Sequence, residues 1–373
     1  MHGKLEGMTE STKPNPPFVQ KDMERQIPRR WKIALIVTTI VLGLTVYPGK
    51  WLSSQPLIAL LVAPRSLWIV VSLIALLISV IVFIVRWRRR LPRRVAALFM
   101  AITMVAAFAN VTVGWGEGLR TFSLDSVTTK DKGYFGTDIT VMSLNTFEGK
   151  STPQDIAKLA NKVGADILSL SEIDPQDARI VARLMEAAGS PMQVFDSVES
   201  TREGNSKRNN TSLLVSVYFG TYEVDKSITP NTHLGAVAVK PVSYDANFLY
   251  LPTLAAGHAF PPGVASTRKW RNDVAELLTL CHDARGGNLI LAGNFNAAPW
   301  HGVLADTGAC QSALSAADSG SVGTWPTYLP KILGIPIDHI MVSKTRWGTV
   351  SSTLTTVPGS DHRALLAKLR YLS

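Results

Sequence analysis

The sequence LILAGNFNAAPW occupies residues 289–300. Its apolar start ends at Gly293, after which Asn294 and Asn296 stand two residues apart. Side chains two residues apart on an extended chain project to the same side, so the two amides are predicted to lie together at a strand end. By itself the stretch fits a buried strand followed by an Asx-rich turn equally well.

Five further segments place a polar side chain where an apolar run ends or has just ended. They read Ser143-Leu144-Asn145, Leu170-Ser171-Glu172, Gly257-His258, Ile337-Asp338-His339 and Ser360-Asp361-His362. Together with residues 289–300, they resemble the endonuclease/exonuclease/phosphatase superfamily in motifs, order and intervals. The resemblance covers roughly residues 136–371 and implies a hydrolase acting on phosphoester or phosphoanhydride bonds.

A metal site is predicted from oxygen ligands at two of these strand ends. Phosphoester hydrolysis needs a cation that neutralises the phosphoryl oxygens. Asn145 and Glu172 offer oxygen ligands suited to Mg²⁺, with Mn²⁺ as the alternative metal. The resemblance adds Asp361 to this site. It also places Gln before the Glu, where this chain has Ser171.

Proton transfer is predicted to involve His362, because a histidine beside the reacting phosphate can act as acid or base near neutral pH. The resemblance assigns Asp338 the role of orienting that imidazole. It further implies that His258 contacts the phosphate and that the Asn296 amide positions the phosphate or the water.

Asn294 is the main departure from the family pattern. The family motif reads Gly-Asp-Phe-Asn, whereas residues 293–296 read Gly-Asn-Phe-Asn. The Asp can deprotonate the attacking water, but an amide can only hydrogen-bond to it. Losing a general base typically lowers a rate by ~10²–10⁴-fold, so we expect reduced activity, a histidine recruited as base, or a binding module.

The positive charge is concentrated in the N-terminal third. The formal net charge is +10, and residues 1–120 hold 16 Lys and Arg against 5 Asp and Glu, whereas the remainder holds 22 against 23. A nuclease domain would be expected to carry a basic face, so nucleic acid is a poor candidate partner. The excess flanks apolar segments, as topology signals of membrane proteins do.

Three apolar segments predict transmembrane helices at about residues 33–48, 67–85 and 95–113. Residues 57–63 are too short to cross a bilayer and predict an interfacial segment. Basic clusters at residues 25–32 and 86–94 should both face the cytoplasm. A cleaved signal peptide is less consistent with the long preceding tail and the further apolar segments.

This topology predicts four parts in a multi-pass protein of the cell membrane. They are a cytoplasmic tail (1–30), a membrane region (31–116), a linker (117–135) and an extracytoplasmic domain (136–373). Alternating strands and helices indicate that the domain is α/β, and the resemblance implies a four-layered α/β sandwich. The three spans, the outward domain and the GTWPT segment at 323–327 resemble a membrane branch that includes teicoplanin-resistance proteins and undecaprenyl-pyrophosphate phosphatases.

Cys281 and Cys310 match no zinc-binding pattern. They could form one disulfide outside the cytoplasm or remain two buried thiols. Arg202, in a polar loop, and Arg268, at a helix start, are candidates to hold an anionic head group, since a helix N-terminus adds amide donors.

We therefore expect a membrane-anchored, Mg²⁺-dependent phosphohydrolase at the outer membrane surface. Its expected substrate is a lipid-linked phosphate or pyrophosphate, such as a polyprenyl pyrophosphate. One alternative is a phosphodiesterase like phospholipase C or sphingomyelinase, and another is a catalytically weakened module that binds a lipid head group.

Overall fold

The computed structural model describes residues 27–46, 48–128, 138–197, 210–242, 251–283 and 287–372. Its N-terminal part consists of helices α1 (Arg29–Val46), α2 (Ile58–Val62), α3 (Arg65–Arg88) and α4 (Arg94–Gly116). Helices α3 and α4 pack along each other, and α1 lies against α4. Most of the expected cytoplasmic tail and part of the expected linker lie outside the described residues.

Two of these helices, α3 and α4, are long and apolar enough to cross a membrane. Only 6% of the most apolar part of α3 is buried within the protein. Helix α1 has 18 residues and begins with the basic segment RRWK. Roughly 14 residues then remain, or about 21 Å at 1.5 Å per residue, against a hydrocarbon core of about 30 Å. The structure therefore supports two apolar spans, fewer than the three predicted.

The residues after 138 form two six-stranded sheets. The first contains β1 (Ile139–Asn145), β2 (Ile167–Ser171), β3 (Met192–Asp196), β4 (Thr211–Ser216), β11 (Trp347–Thr356) and β12 (Arg363–Tyr371), in the order β11-β12-β1-β2-β4-β3. The second contains β5 (Tyr222–Val224), β6 (Ala236–Pro241), β7 (Thr253–His258), β8 (Leu289–Asn294), β9 (Cys310–Ser312) and β10 (Asp338–Ser343), in the order β5-β6-β7-β8-β10-β9. Both sheets are mixed, because β1 runs parallel to β2 and β7 parallel to β8.

Helices cover the outer faces of both sheets. Helices α5 (Pro153–Val163) and α6 (Pro175–Ala187) share an apolar cluster with the first sheet, and α7 (Thr267–Asp283) shares another with the second. A third cluster fills the space between the sheets. The short helix α8 (Ala313–Ala316) contacts β10 and β11. The predicted four-layered α/β sandwich is confirmed.

Local sequence explains why these elements begin and end where they do. Helix α5 starts after Thr152, whose side chain accepts a hydrogen bond from the Asp155 amide at 3.2 Å. It ends at Gly164, which adopts a left-handed φ of 65°. Its buried residues recur at helical spacing, and they are Ile156, Ala157, Ala160 and Val163.

The α/β domain and the arginine-rich turn between α3 and α4 lie at opposite ends of the apolar helices. At one end, Ser321 Oγ donates to the Gly114 carbonyl at 2.6 Å and Trp300 Nε1 donates to the Val62 carbonyl at 2.7 Å. Helix α3, with 24 residues, spans about 36 Å from there to the arginine-rich turn.

The two cysteines are joined. A disulfide links Cys281, near the end of α7, to Cys310 at the start of β9, with their Cα atoms 5.3 Å apart. This bond ties the outer helix to the edge strand of the second sheet.

Candidate active site

The polar residues singled out in the sequence meet where the two sheets end. In the first sheet, Asn145 pairs in register with Ser171, so Glu172 follows directly beside it. In the second sheet, His258 and Asn294 are in parallel register, and Asp338 lies opposite Asn294 on the antiparallel strand β10. The topology thus brings residues from distant parts of the chain together at the strand ends of both sheets.

Gly293 allows β7 and β8 to approach each other closely. Its φ is +155°, and a Cβ at this position would lie 1.9 Å from the Gly257 carbonyl oxygen. Any side chain there would push the strands apart. The glycine therefore keeps His258 and Asn294, one residue further along each strand, side by side.

Glu172 is held by donors on both carboxylate oxygens. Oε1 accepts from Asn145 Nδ2 and Oε2 from the Glu148 amide, both at 2.9 Å. The Glu148 amide is turned toward it because Phe147 and Glu148 both have left-handed φ values, 54° and 56°. Glu172 itself has a φ of 59° and lines the central cavity.

Asn145 contacts Glu172 rather than the cavity. Its Nδ2 donates to Glu172, and its Oδ1 accepts from the Phe147 amide at 2.9 Å. Both ends of the amide are therefore occupied, and the side chain orients the Glu172 carboxylate. Its role as a metal ligand stays a prediction.

His362 and Asp338 form a buried pair. His362 Nδ1 donates to Asp338 Oδ2 at 2.8 Å, and Asp338 is fully buried. Ser360 Oγ accepts from the His362 amide at 2.9 Å and donates to the Asn145 carbonyl at 2.6 Å. These contacts fix the imidazole, which directly precedes β12, beside the end of the neighbouring strand β1 that carries Asn145.

Pairing with Asp338 changes the acidity of the His362 imidazole. Burial by itself lowers the pKa of His362, but the charge and hydrogen bond of Asp338, together with the neighbouring carboxylates, raise the pKa above its ordinary value. The charges of Asp361 and Glu172 act in the same direction. Nε2, the nitrogen not bound to Asp338, can then carry or release a proton near neutral pH.

Asp361 faces the same cavity as Glu172. Its Oδ2 accepts from Trp325 Nε1 at 2.9 Å, and its Oδ1 is 3.9 Å from His362 Nε2. Oδ1 is buried and has no hydrogen-bond partner among the described residues. An unpartnered buried carboxylate oxygen is a position that a cation would satisfy.

The donor set fits Mg²⁺. Among the described residues, no three His, Cys, Asp or Glu side chains converge as a metal cluster. Mg²⁺, however, is commonly held by one or two carboxylates while it keeps several waters. Glu172 and Asp361 supply two carboxylates to one cavity.

His258, Asn294 and Asn296 form a second polar group. Asn294 Nδ2 lies 3.4 Å from His258 Nε2, and Asn294 Oδ1 accepts from the Asn296 amide at 2.8 Å. Asn296 Nδ2 donates to the Ala259 carbonyl at 2.8 Å. Burial lowers the pKa of His258 below its ordinary value, and the charge of Glu172 opposes this only in part.

The cavity enclosed by these residues has a volume of about 310 Å³. Its polar wall contains six of the predicted site residues, namely Glu172, His258, Asn294, Asn296, Asp361 and His362. Asp338 is buried behind His362. Arg268 is exposed at the start of α7 and does not line the cavity, because α7 lies in the outer helical layer. Arg202 lies outside the described residues.

Three contributors to the site were not expected there from the sequence. The Glu148 amide reaches Glu172 because of an unusual backbone turn, and helix α2 reaches the cavity through contacts with a remote part of the chain. Neither arrangement leaves a local signal in the sequence. Trp325 belongs to a segment noted for its resemblance, but its hydrogen bond to Asp361 appears only in the fold.

The Endonuclease/Exonuclease/phosphatase family model matches residues 142–362. Similar solved structures include the human Nocturnin catalytic domain with bound sulfate (18% identity, TM-score 0.45, covering 63% of this chain and 95% of that one). An endonuclease/exonuclease/phosphatase from Beutenbergia cavernae has 18% identity and a TM-score of 0.47, and the match covers 63% of this chain and 72% of that one. The Bacteroides thetaiotaomicron mannosyl-6-phosphatase has 14% identity and a TM-score of 0.42, and the match covers 62% of this chain and 99% of that one.

A search of curated proteins found no match. The family model nevertheless spans more than half of the chain. The chain therefore belongs to the endonuclease/exonuclease/phosphatase family, whose members are hydrolases acting on phosphoester bonds.

Proposed function

We propose that the protein is a membrane-anchored, Mg²⁺-dependent phosphohydrolase that acts on a lipid-linked phosphate or pyrophosphate at the outer membrane surface. One observation carries this proposal. Leu60 and Ala63 form part of the wall of the cavity that holds Glu172, His258 and His362. These two wall residues belong to the connection between α1 and α3. A substrate bound there lies beside the ends of the apolar helices.

The orientation of the protein in the membrane follows from the position of its basic segments. The turn between α3 and α4 carries the basic segment RWRRRLPRR at residues 86–94, at the far end of the helices from the α/β domain. Clusters of Arg and Lys favour the cytoplasmic side. The α/β domain is then extracytoplasmic, where the Cys281–Cys310 disulfide is also stable.

Glu172 and Asp361 would hold the metal ion. Bound Mg²⁺ would neutralise charge on the phosphoryl oxygens. Asn145 and the Glu148 amide keep Glu172 pointing into the cavity, and Trp325 does the same for Asp361. The chain thereby pre-orders two carboxylates whose mutual repulsion would otherwise separate them.

Proton transfer is assigned to His362. Asp338 occupies Nδ1, so the proton that moves is the one at Nε2, on the side of Asp361. The buried Asp338 carboxylate stabilises the imidazolium that forms when Nε2 takes up a proton. The His362 imidazole can then return that proton to the oxygen of the leaving group.

Asn294 cannot accept a proton, but its neighbour can. Because Asn294 Nδ2 can only donate, His258 Nε2 accepts in their 3.4 Å contact. Burial lowers the pKa of His258 and favours the neutral ring, so Nε2 can act as a base toward a water that takes the place of the Asn294 donor. The cavity therefore contains two imidazoles that can supply the base function missing at Asn294.

A lipid-linked substrate is favoured over nucleic acid. No Lys or Arg in the described part of the chain lines the cavity, whereas a phosphodiester backbone is usually bound by several cationic side chains. A phosphodiesterase acting on a phospholipid shares the same polar residues and remains the second candidate.

A phosphate-release assay tests the proposal. Purified full-length protein in detergent micelles is given polyprenyl pyrophosphates, phospholipids or DNA, with Mg²⁺ or EDTA. Inorganic phosphate is measured together with the organic products, because cleavage of a phosphodiester leaves the phosphate on one product. We expect Mg²⁺-dependent phosphate release from the polyprenyl pyrophosphate. Cleavage of phospholipid alone would support the phosphodiesterase, and binding without turnover would support a head-group-binding module. Preferential cleavage of DNA would refute a lipid substrate.

A further inference from the structure

The short helix α2 is built into the α/β domain rather than resting loosely on it. Ala59 and Val62 are completely buried, and Ala59 belongs to the apolar cluster beneath α7. The Ala59 carbonyl accepts from His301 Nε2 at 2.9 Å, and the Val62 carbonyl accepts from Trp300 Nε1 at 2.7 Å. The preceding turn is attached as well, since Ser53 Oγ accepts from the Gly302 amide at 2.8 Å.

The adjacent face of α2 lines the cavity. Leu60 and Ala63, the residue that directly follows α2 with helical backbone angles, are three residues apart and lie on one face, next to the face that buries Ala59 and Val62. Both line the cavity, and Leu60 is 44% exposed. An apolar side chain half open to a catalytic cavity is available to a ligand.

Apolar residues of the α/β domain line the same cavity. Pro261 and Pro262 follow the strand that ends in His258, and Ile335 and Ile337 precede Asp338. The cavity therefore combines a polar part, formed by the strand ends, with an apolar part formed by α2 and these two loops. This division matches an amphiphile with an anionic head.

We propose that α2 forms a binding site for the apolar chain of the substrate, with Leu60 and Ala63 contacting the carbons next to the phosphate-bearing oxygen. This inference rests on the proposed function and goes further, because it names the substrate as a single-chain lipid phosphate or pyrophosphate. The phosphate lies among Glu172, His258 and His362, and the chain leaves past α2 toward the apolar helices.

The size of the cavity supports a single chain. At about 310 Å³ it is at the lower end of the roughly 300–1,000 Å³ range of small-molecule sites. Such a volume suits a phosphate head group and the first part of one chain. The rest of a long chain must remain outside, against the exposed apolar side chains of α3, such as Leu67 and Ile74.

The first test compares a long and a short substrate. Rates are measured with undecaprenyl pyrophosphate and with isopentenyl pyrophosphate, using full-length protein in micelles. Leu60→Gln should lower the long-to-short ratio of kcat/KM about tenfold or more, mainly by raising KM for the long substrate. Leu60→Met, which keeps an apolar side chain, should restore the ratio.

Leu57→Gln is the matched control. Leu57 is on the same segment and is 62% exposed, but it does not line the cavity. The control should leave the ratio unchanged. An equal loss on both substrates in Leu60→Gln, or an equal drop in the ratio in Leu57→Gln, would overturn the proposal, because either result would indicate a general effect on folding or membrane association.

A second test does not need turnover. A polyprenyl phosphate with a diazirine on its first isoprene unit is photolysed with the protein, and the labelled peptides are identified by mass spectrometry. Labels within residues 58–63 or at Pro261 and Pro262 would support the chain site even if no phosphate were released, in which case only the proposed activity fails. Labels confined to α3 and α4 would refute the chain site even in an active enzyme.

Discussion

Asp338 Oδ2 lies 2.8 Å from His362 Nδ1, and the aspartate is completely buried. The contact fixes the imidazole tautomer and places Nε2 near Asp361. Thr324 Oγ1, which accepts from the Asp338 amide at 3.3 Å, holds the start of β10 in place. The pair is therefore a preorganised acid/base unit on the polar side of the cavity.

Removing the charge of Asp338 should impair catalysis and shift its pH dependence. In Asp338→Asn we expect phosphate release to fall by about 10²–10⁴-fold, the range typical of general acid/base assistance. Because Asp338 raises the pKa of His362, the limb of the pH–rate profile that belongs to His362 should move to lower pH. Profiles of wild type and variant measure both effects. A profile of unchanged shape would remove His362 from the proton-transfer step.

Glu172 should be required for the metal. Glu172→Gln removes the charge but keeps the shape, so Mg²⁺-dependent turnover should fall about a hundredfold or more, at least the roughly 10–100-fold loss typical of residues that only support a metal ligand. The stabilisation of the protein by added Mg²⁺ in a thermal melt should also disappear. Glu186→Gln, an exposed change on α6, is the control. Equal behaviour of the two variants would exclude Glu172 as a ligand.

Asn294→Asp tests the departure from the family motif. The aspartate keeps an oxygen for the Asn296 amide but replaces the donor beside His258 Nε2 with an acceptor. If the missing base limits the rate, turnover should rise about tenfold or more, equivalent to ~1.4 kcal/mol. If His258 or His362 has taken over as base, a buried negative charge beside the phosphate should leave the rate flat or lower it. Phosphate release across pH distinguishes these outcomes.

Membrane topology can be tested with fusions. A reporter that is active only outside the cytoplasm should work when fused after Ser373 and fail when fused at Pro92, within the arginine-rich turn. The opposite pattern would place the α/β domain in the cytoplasm and refute the proposed action at the outer surface.

The attachment of α2 should weaken in acid. His301 Nε2 donates to the Ala59 carbonyl, and Nδ1 accepts from the Ala298 amide at 2.8 Å, so the ring must be neutral. Burial lowers its pKa to about 4. Since the unfolded histidine takes up a proton near pH 6.5, this contribution to stability is present above about pH 6.5 and is lost as the pH falls toward 4.

Hydrogen exchange of the α2 amides at pH 7 and pH 5 measures this effect. We expect faster exchange at pH 5 in the wild type. His301→Gln cannot be protonated, so its exchange should differ less between the two pH values after correction for intrinsic rates. An equal pH response in the variant would assign the effect to another group.

The sequence alone determined the elements and the order of the motifs, because these depend on local chemistry. The bounds of α5 follow from the Thr152 cap, the helical spacing of apolar residues and Gly164. The polar strand ends were recognisable because each apolar run stops at a polar residue. The four layers and the pairing of Asp338 with His362 were expected only from the family resemblance, and the structure contains both.

The tertiary structure alone decided which side chains reach the cavity. In the fold, Asn145 contacts Glu172 and Trp325 donates to Asp361. Arg268 lies on the outer surface, whereas α2 forms part of the cavity wall. Trp300 and Val62, whose contact holds α2, are 238 residues apart. No local pattern encodes such a contact, because it depends on how layers and helices pack after each element has formed.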